Sequence, residues 1–273
     1  MDIVSNLLLV GLGLLVGTFG TLIGAGGGFI LVPVLLLLYP SLKPEVVTSI
    51  SLAVVFLNAA SGSYAYAKMR RIDYKSAIVF AVAALPGSIV GALVTSHLPR
   101  HLFNVVLGIL LVIVAIYLIA RPEHSLKSQN ENDSDSYLVN RTITDIYKEK
   151  YSYSFNQLVG ILISFFVGFL SSLLGIGGGI IHVPALASLL NFPVHIATAT
   201  SHFILAVMAL AGTIVHMIQG TFWQEWTKAV FIGIGVIAGA QMGARLSERV
   251  KPKGIIRALA VALFIVGIRL LFF

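Results

Sequence analysis

Polar residues are sparse along this chain, and the intervals between them set its elements. Apolar runs of helix length fall at 46–67, 76–97, 102–120, 196–217, 226–247 and 255–272. Each is long enough to cross a hydrocarbon layer of roughly 30 Å as an α-helix. Two further apolar stretches, 3–39 and 155–191, are interrupted by glycines. There the sequence repeats itself: GTFGTLIGAGGGFILVPVL at 17–35 matches GFLSSLLGIGGGIIHVPAL at 168–186 in ten of nineteen positions, in register 151 residues apart. The pattern predicts an all-α, polytopic helical membrane protein built from two internal repeats. The first membrane repeat spans 1–120, a polar cytoplasmic linker 121–154, and the second membrane repeat 155–273.

Composition strengthens this reading. Hydrophobic residues make up 58% of the chain and charged ones 11%, with a mean hydropathy of +0.96, outside the range of a soluble globular domain. The formal net charge of +7 does not point to nucleic acid, because the basic residues sit in short loops beside apolar runs. In such places they act as topology signals with lipid headgroups as neighbours. The absence of cysteine excludes disulfides, thiolate metal sites and cysteine nucleophiles. No basic n-region followed by a cleavage pattern is present, so no removed signal peptide is expected, and no lipidation signal occurs. The sequence contains no GxxxxGK[ST], GxSxG or HExxH pattern, and both glycine runs fail GxGxxG at the last glycine. Neither an enzyme nor a bound cofactor or metal is expected.

Loop charges arbitrate the number of crossings. If each glycine-broken stretch forms a hairpin of two segments, ten segments result. One side then holds Lys68, Arg70, Arg71, Lys75, Arg121, Lys127, Arg141, Lys148, Lys150, Arg249, Lys251 and Lys253, against Lys43 and Arg100 opposite. If each stretch crosses once, eight full-length crossings result, and Arg249, Lys251 and Lys253 move to the side of Lys43 and Arg100. The positive-inside rule favours ten, with both termini outside. Five segments per repeat inverts the second copy relative to the first. The linker, with QNENDSDSY at 129–137, holds too few apolar residues to bury a core and is expected to be mobile.

A glycine break inside apolar sequence frees backbone groups where lipid cannot satisfy them, so it is expected to line an enclosed, wet cavity. Helices beginning after Gly26, Gly27 and Gly28 and after Gly177, Gly178 and Gly179 present free N–H groups and the positive end of the helix dipole. Such ends favour a small anion. Spaced glycines, such as Gly87 with Gly91, Gly239 with Gly243 and Gly13 with Gly17, read instead as close helix packing. Pro33 and Pro184 recur five residues after each run, and each removes one backbone donor, which frees a carbonyl or kinks the half-helix. Thr48 and Ser49 recur as Thr200 and Ser201 at an offset of 152 and are expected to offer hydroxyls to substrate or to cap their helices. In that alignment His182 replaces Leu31 and His202 replaces Ile50. Ionisable groups at membrane depth serve proton coupling or substrate contact, or bond as neutral rings to a neighbouring helix.

The duplicated GxGGG-x4-P signature, Gly24 to Pro33 and Gly175 to Pro184, resembles that of the sulfite exporter TauE/SafE family, also called TSUP. PVHIATATS at 193–201 and GAQMGARL at 239–246 add to the resemblance, which covers the whole chain except 121–154. The first copy departs from the pattern after the signature, with SLKPEVVTS at 41–49. The resemblance implies a permease of the bacterial cytoplasmic membrane moving sulfite, an organosulfonate or a similar small anion. The expected function is therefore a secondary transporter working by alternating access, with a small anionic substrate, protons and membrane lipids as partners. The alternatives are an anion channel or, further off, a membrane-embedded enzyme or complex subunit.

Overall fold

The computed structural model describes residues 3–120, 138–249 and 253–272. Ten helices are present among them: α1 (Ile3–Ile23), α2 (Gly28–Leu38), α3 (Pro44–Lys68), α4 (Tyr74–Thr95), α5 (Arg100–Ala120), α6 (Gln157–Leu174), α7 (Gly179–Leu189), α8 (Val194–Ile218), α9 (Trp226–Arg249) and α10 (Lys253–Phe272). The chain is a polytopic all-α membrane protein. Seven of the helices are long and apolar enough to cross a membrane, while α2 and α7, at 11 residues each, are not. At 1.5 Å per residue such a helix spans about 17 Å, roughly half the hydrocarbon thickness. Leu7 and Leu8 of α1, Ile113 and Ile116 of α5, and Leu162 and Phe166 of α6 are exposed, as a lipid-facing surface requires.

Local chemistry fixes the helix ends. Pro44 starts α3, where its missing N–H costs nothing. The Asp73 carboxylate accepts from Ser76 N–H (3.2 Å) at the start of α4, and the Asn156 side chain accepts from Leu158 and Val159 N–H at the start of α6. The helix α6 ends at Gly175 (φ +68°), and α2 and α7 begin after Gly27 (φ +82°) and Gly178 (φ +41°), left-handed positions that favour glycine.

Helices of the two repeats interleave. The backbones of α1 and α9 meet directly, Gly13 and Gly17 lying on Ile232 and Val236, and Gly235, Gly239 and Gly243 on Val10, Leu14 and Thr18. Residue numbers rise together along the contact, so the two helices run the same way. The helices α4 and α6 meet likewise, through Gly87 and Gly91 against Phe165 and Phe169, and Gly168 against Ala84. The spaced glycines do serve packing. At the centre α3 and α8 run antiparallel: Gly62 lies beside His202, and Leu52 beside Gly212. A shift of 150 residues turns either pair into the other.

That shift corrects the alignment used for the hydroxyl pairs. The half-helices α2 and α7 correspond at an offset of 151, but α3 and α8 correspond at 150, because the turn 190–193 is one residue shorter than 39–43. The counterpart of Thr48 is therefore Thr198, not Thr200, and that of His202 is Leu52, not Ile50.

The polar segment between the repeats is folded from Leu138 onwards, contrary to the expectation of a mobile linker. Strands β1 (Leu138–Thr144) and β2 (Lys150–Asn156) pair antiparallel, with Leu138 opposite Asn156. The hairpin borrows its core from the helices: Tyr153 and Phe155 are buried against Phe192, with ring centroids at 4.5 and 4.9 Å, and Phe155 meets Phe80 at 5.9 Å. Two acid–base contacts fasten it to the α3–α4 turn. Arg71 pairs with Asp145 at 3.2 Å, both side chains buried, and Arg141 lies 3.6 Å from Asp73. Tyr153 donates its hydroxyl to Asp73 (2.9 Å), and burial together with that neighbouring carboxylate raises its pKa. The stretch 129–137 lies outside the described residues.

Candidate functional site

The two glycine turns come together at the middle of the molecule. Ala25 and Gly26 N–H both donate to Gly20 O (2.7 and 3.2 Å), which folds the end of α1 back, and the first internal bonds of α2 are donated by Ile30 and Leu31 to Gly27 O. In the second repeat, Ile181 and His182 N–H donate to Gly178 O, and Gly179 N–H turns to Gly177 O. Both half-helices thus direct their first amides at the turn before them. An added Cβ at Gly28 would lie 2.6 Å from Gly175 O, and one at Gly179 would lie 2.7 Å from Ala25 Cα. Residues 24–28 and 175–179 are all buried. The triads Gly26 to Gly28 and Gly177 to Gly179 therefore face each other across direct backbone contact, not across the wet opening expected from the sequence. The conformation is closed at this level.

Val55 and Leu205, equivalent at the 150 offset and each close to the midpoint of its helix, cover the turns: Val55 lies against Gly177 and Gly26, and Leu205 against Gly26. The glycine turns thus sit about half-way along the spanning helices. Pro33 and Pro184 lie inside α2 and α7.

The hydroxyls divide. Thr48 packs on Gly175, and its counterpart Thr198 packs on Gly24, so these two flank the turns. Thr48 Oγ1 is buried with no partner. Ser49 is turned away, donating to Val46 O of its own helix (2.8 Å), and Thr200 accepts from Asp73 N–H (3.1 Å) near the hairpin. Ser201 is buried, its hydroxyl without a partner. Ser51, which sequence reasoning passed over, donates to Gly175 O at 2.6 Å and holds the second turn in place.

The two buried histidines lie apart. His182, in the first turn of α7, has Nε2 at 3.2 Å from Ser164 Oγ. Ser164 spends its proton on Gly160 O (2.7 Å), so His182 Nε2 is the donor. His202 lies between α3 and α1, with Tyr66 edge-on to its ring at a centroid distance of 5.4 Å. Arg245 is exposed. Among the described residues, no group of three or more His, Asp or Glu side chains is placed to hold a metal.

With two glycine-led half-helices meeting between interleaved spanning helices, the sequence comparisons decide the family. The profile of the sulfite exporter TauE/SafE family matches residues 9–270. The chain belongs to that family. Among TauE/SafE relatives, the probable membrane transporter protein YunE of Bacillus subtilis is 35% identical over 274 residues, covering 98% of each chain. A probable membrane transporter protein of Methanocaldococcus jannaschii is 28% identical, covering 97% of this chain and 94% of its own. YdhB, another probable membrane transporter protein of Bacillus subtilis, is 25% identical over 94% of this chain. No solved structure matches. As a TauE/SafE protein the chain is a membrane transporter, and its paired signature, Gly24 to Pro33 and Gly175 to Pro184, is the part that builds the central contact.

Proposed function

We propose that this transporter carries a small sulfur-containing or organic anion, such as sulfite or an organosulfonate, across the bacterial cytoplasmic membrane by alternating access. The observation that carries the reading is the meeting of two half-helix N-termini at mid-depth. Each contributes the positive end of a helix dipole, and together they favour one negative charge over any cation. The opposed directions of α3 and α8, the paired contacts and the asymmetry of loop charge support two repeats of opposite orientation, with the hairpin in the cytoplasm.

Interleaving changes which parts move. The tight α1–α9 and α4–α6 seams each join the two repeats, so neither repeat is a rigid body. The reading assigns the motion to α1 with α9 on one side and α4 with α6 on the other, rocking about the α3–α8 crossing. Separation of the two glycine turns then admits the anion, and renewed contact closes them. The closed contact favours a carrier over an open anion pore.

The test is flux in proteoliposomes loaded with sulfite. Saturable flux, uphill accumulation under an imposed proton gradient, and its loss in Gly27→Leu and Gly178→Leu with membrane insertion retained would support the reading. Unchanged flux in both variants would reject the glycine site, and non-saturable flux without accumulation would make the protein a channel.

A further inference from the structure

Equivalent places at the two ends of the molecule are closed by different side chains. The helices α4 and α9 correspond at an offset of 152, which carries Gly87 and Gly91 onto Gly239 and Gly243, and Asp73, just before α4, onto Glu225, just before α9. Glu225 pairs with the Lys228 ammonium in the first turn of α9, and Asp73 accepts from the Tyr153 hydroxyl (2.9 Å). Each side chain so held lies against an aromatic ring in the turn that follows the other repeat's half-helix. Lys228 Nζ stands 4.8 Å from the ring centroid of Tyr39, after α2, and the ring of Tyr153 lies 4.5 Å from that of Phe192, after α7. The first contact is at the end away from the hairpin and the second is beneath it, because α8 runs from the Phe192 turn to the one before α9.

These contacts differ in kind from the seams. Along α1–α9 and α4–α6 glycine lies on backbone, so neither helix leaves its partner without unmaking the packing. At the two ends side-chain tips meet, and they meet across the boundary between a moving pair and the central α3–α8 crossing. Lys228 belongs to α9, while the hairpin strand that carries Tyr153 runs straight into α6. Tip contacts part and rejoin without a change in backbone conformation. Lys228 and Tyr153 are each 8% exposed, and an aliphatic pair would fill the same space without burying an ammonium or a phenol. The ammonium gains the ring's attraction in the closed form and water in the open one, so neither form is strongly penalised.

We propose that Lys228 on Tyr39 and Tyr153 on Phe192 are the two gates of the carrier, and that transport parts one while the other holds. The proposal rests on the alternating-access reading and adds which side chains shut each end. Opening away from the hairpin separates Lys228 from Tyr39. Opening toward it separates Phe192 from Tyr153 and Phe155, and Asp73 N–H from Thr200 Oγ1 (3.1 Å). Thr48, one turn into α3, and Thr198, one turn into α8, pack on the glycine turns and so lie behind the first and the second gate respectively.

The chain has no cysteine, so thiols can be introduced where they are wanted. In proteoliposomes loaded with sulfite, a short bis-maleimide bridging Tyr39→Cys to Lys228→Cys, or Tyr153→Cys to Phe192→Cys, should lower flux at least tenfold relative to the same pair before bridging. Bridging Thr142→Cys to Ser152→Cys, which face each other within the hairpin, should leave flux unchanged. Flux retained across either bridged gate, or lost in the hairpin pair, overturns the assignment. A second readout does not pass through flux. Thr48→Cys should react with an impermeant methanethiosulfonate at least tenfold faster when Lys228→Met is added, and only in right-side-out vesicles. Thr198→Cys should respond in the same way to Phe192→Ala, and only in inside-out ones. No response, or both cysteines quickened by either substitution, overturns the gates and leaves the carrier reading standing. Failure of the unaltered chain to move any anion overturns the carrier reading itself.

Discussion

At Gly28 and Gly179 a single methyl group decides whether the two repeats can touch. An alanine at 28 would press within 2.6 Å of Gly175 O, and one at 179 would press on Ala25. Both neighbours are backbone and cannot rotate aside. We expect Gly28→Ala and Gly179→Ala each to destabilise the closed form by about 1–3 kcal/mol. Gly11→Ala, which meets nothing within 4 Å, should not lower the thermal midpoint in detergent. Equal midpoints for all three would show that the turns do not bear on each other. The helix breaks at these glycines were legible in the sequence, because consecutive glycines inside an apolar run interrupt a helix. What the sequence hid was their mutual contact, which depends on how two segments 151 residues apart are brought face to face.

Among the elements, the β-hairpin is the one the sequence concealed. Tyr151, Tyr153 and Phe155 alternate along β2, a strand signature obscured by the lysines, serines and acids around them. The hairpin has no core of its own, so it became readable only once the helix ends that it covers were in place. Its buried Arg71–Asp145 pair should make it sensitive to charge. Asp145→Asn leaves Arg71 uncompensated and should cost about 3–5 kcal/mol of hairpin docking. Faster amide exchange in 138–156, with exchange in the α1–α9 seam unchanged, would register that loss. Alkali provides a second handle. Burial and the hydrogen bond to Glu149 push Tyr151 up to about 12, above its ordinary value of 10.0, and Tyr153 is raised too. A phenol whose folded pKa is raised contributes stability that is whole below about pH 10 and is lost as pH climbs through the folded value. The hairpin should therefore loosen between about pH 10 and 12, and Tyr151→Phe should flatten that dependence. A hairpin whose exchange is indifferent to pH across that window would remove the two phenols from its docking.

For the molecule as a whole, the all-α, polytopic plan and its ten helices were legible, because hydropathy reports on lipid. The interleaving was not, since nothing in an apolar helix names its neighbour apart from scattered glycines that suit several partners. Sidedness can be tested directly, because the chain has no cysteine to interfere. Lys148→Cys at the hairpin tip should react with an impermeant maleimide only in inside-out vesicles, and Lys43→Cys, before α3, only in right-side-out ones. Labelling of both from the same side would contradict α3 as a spanning helix with the hairpin at its far end.

The α1–α9 seam also governs how the protein is made. The glycine face of α1 enters the bilayer long before its partner Trp226–Arg249 leaves the ribosome. Throughout that interval, the notched face has only lipid or the insertion machinery against it. Assembly of the bundle is therefore deferred until α9 has been made, and a nascent chain stalled before α9 should remain a substrate for membrane quality-control proteases, however well its first five helices have inserted.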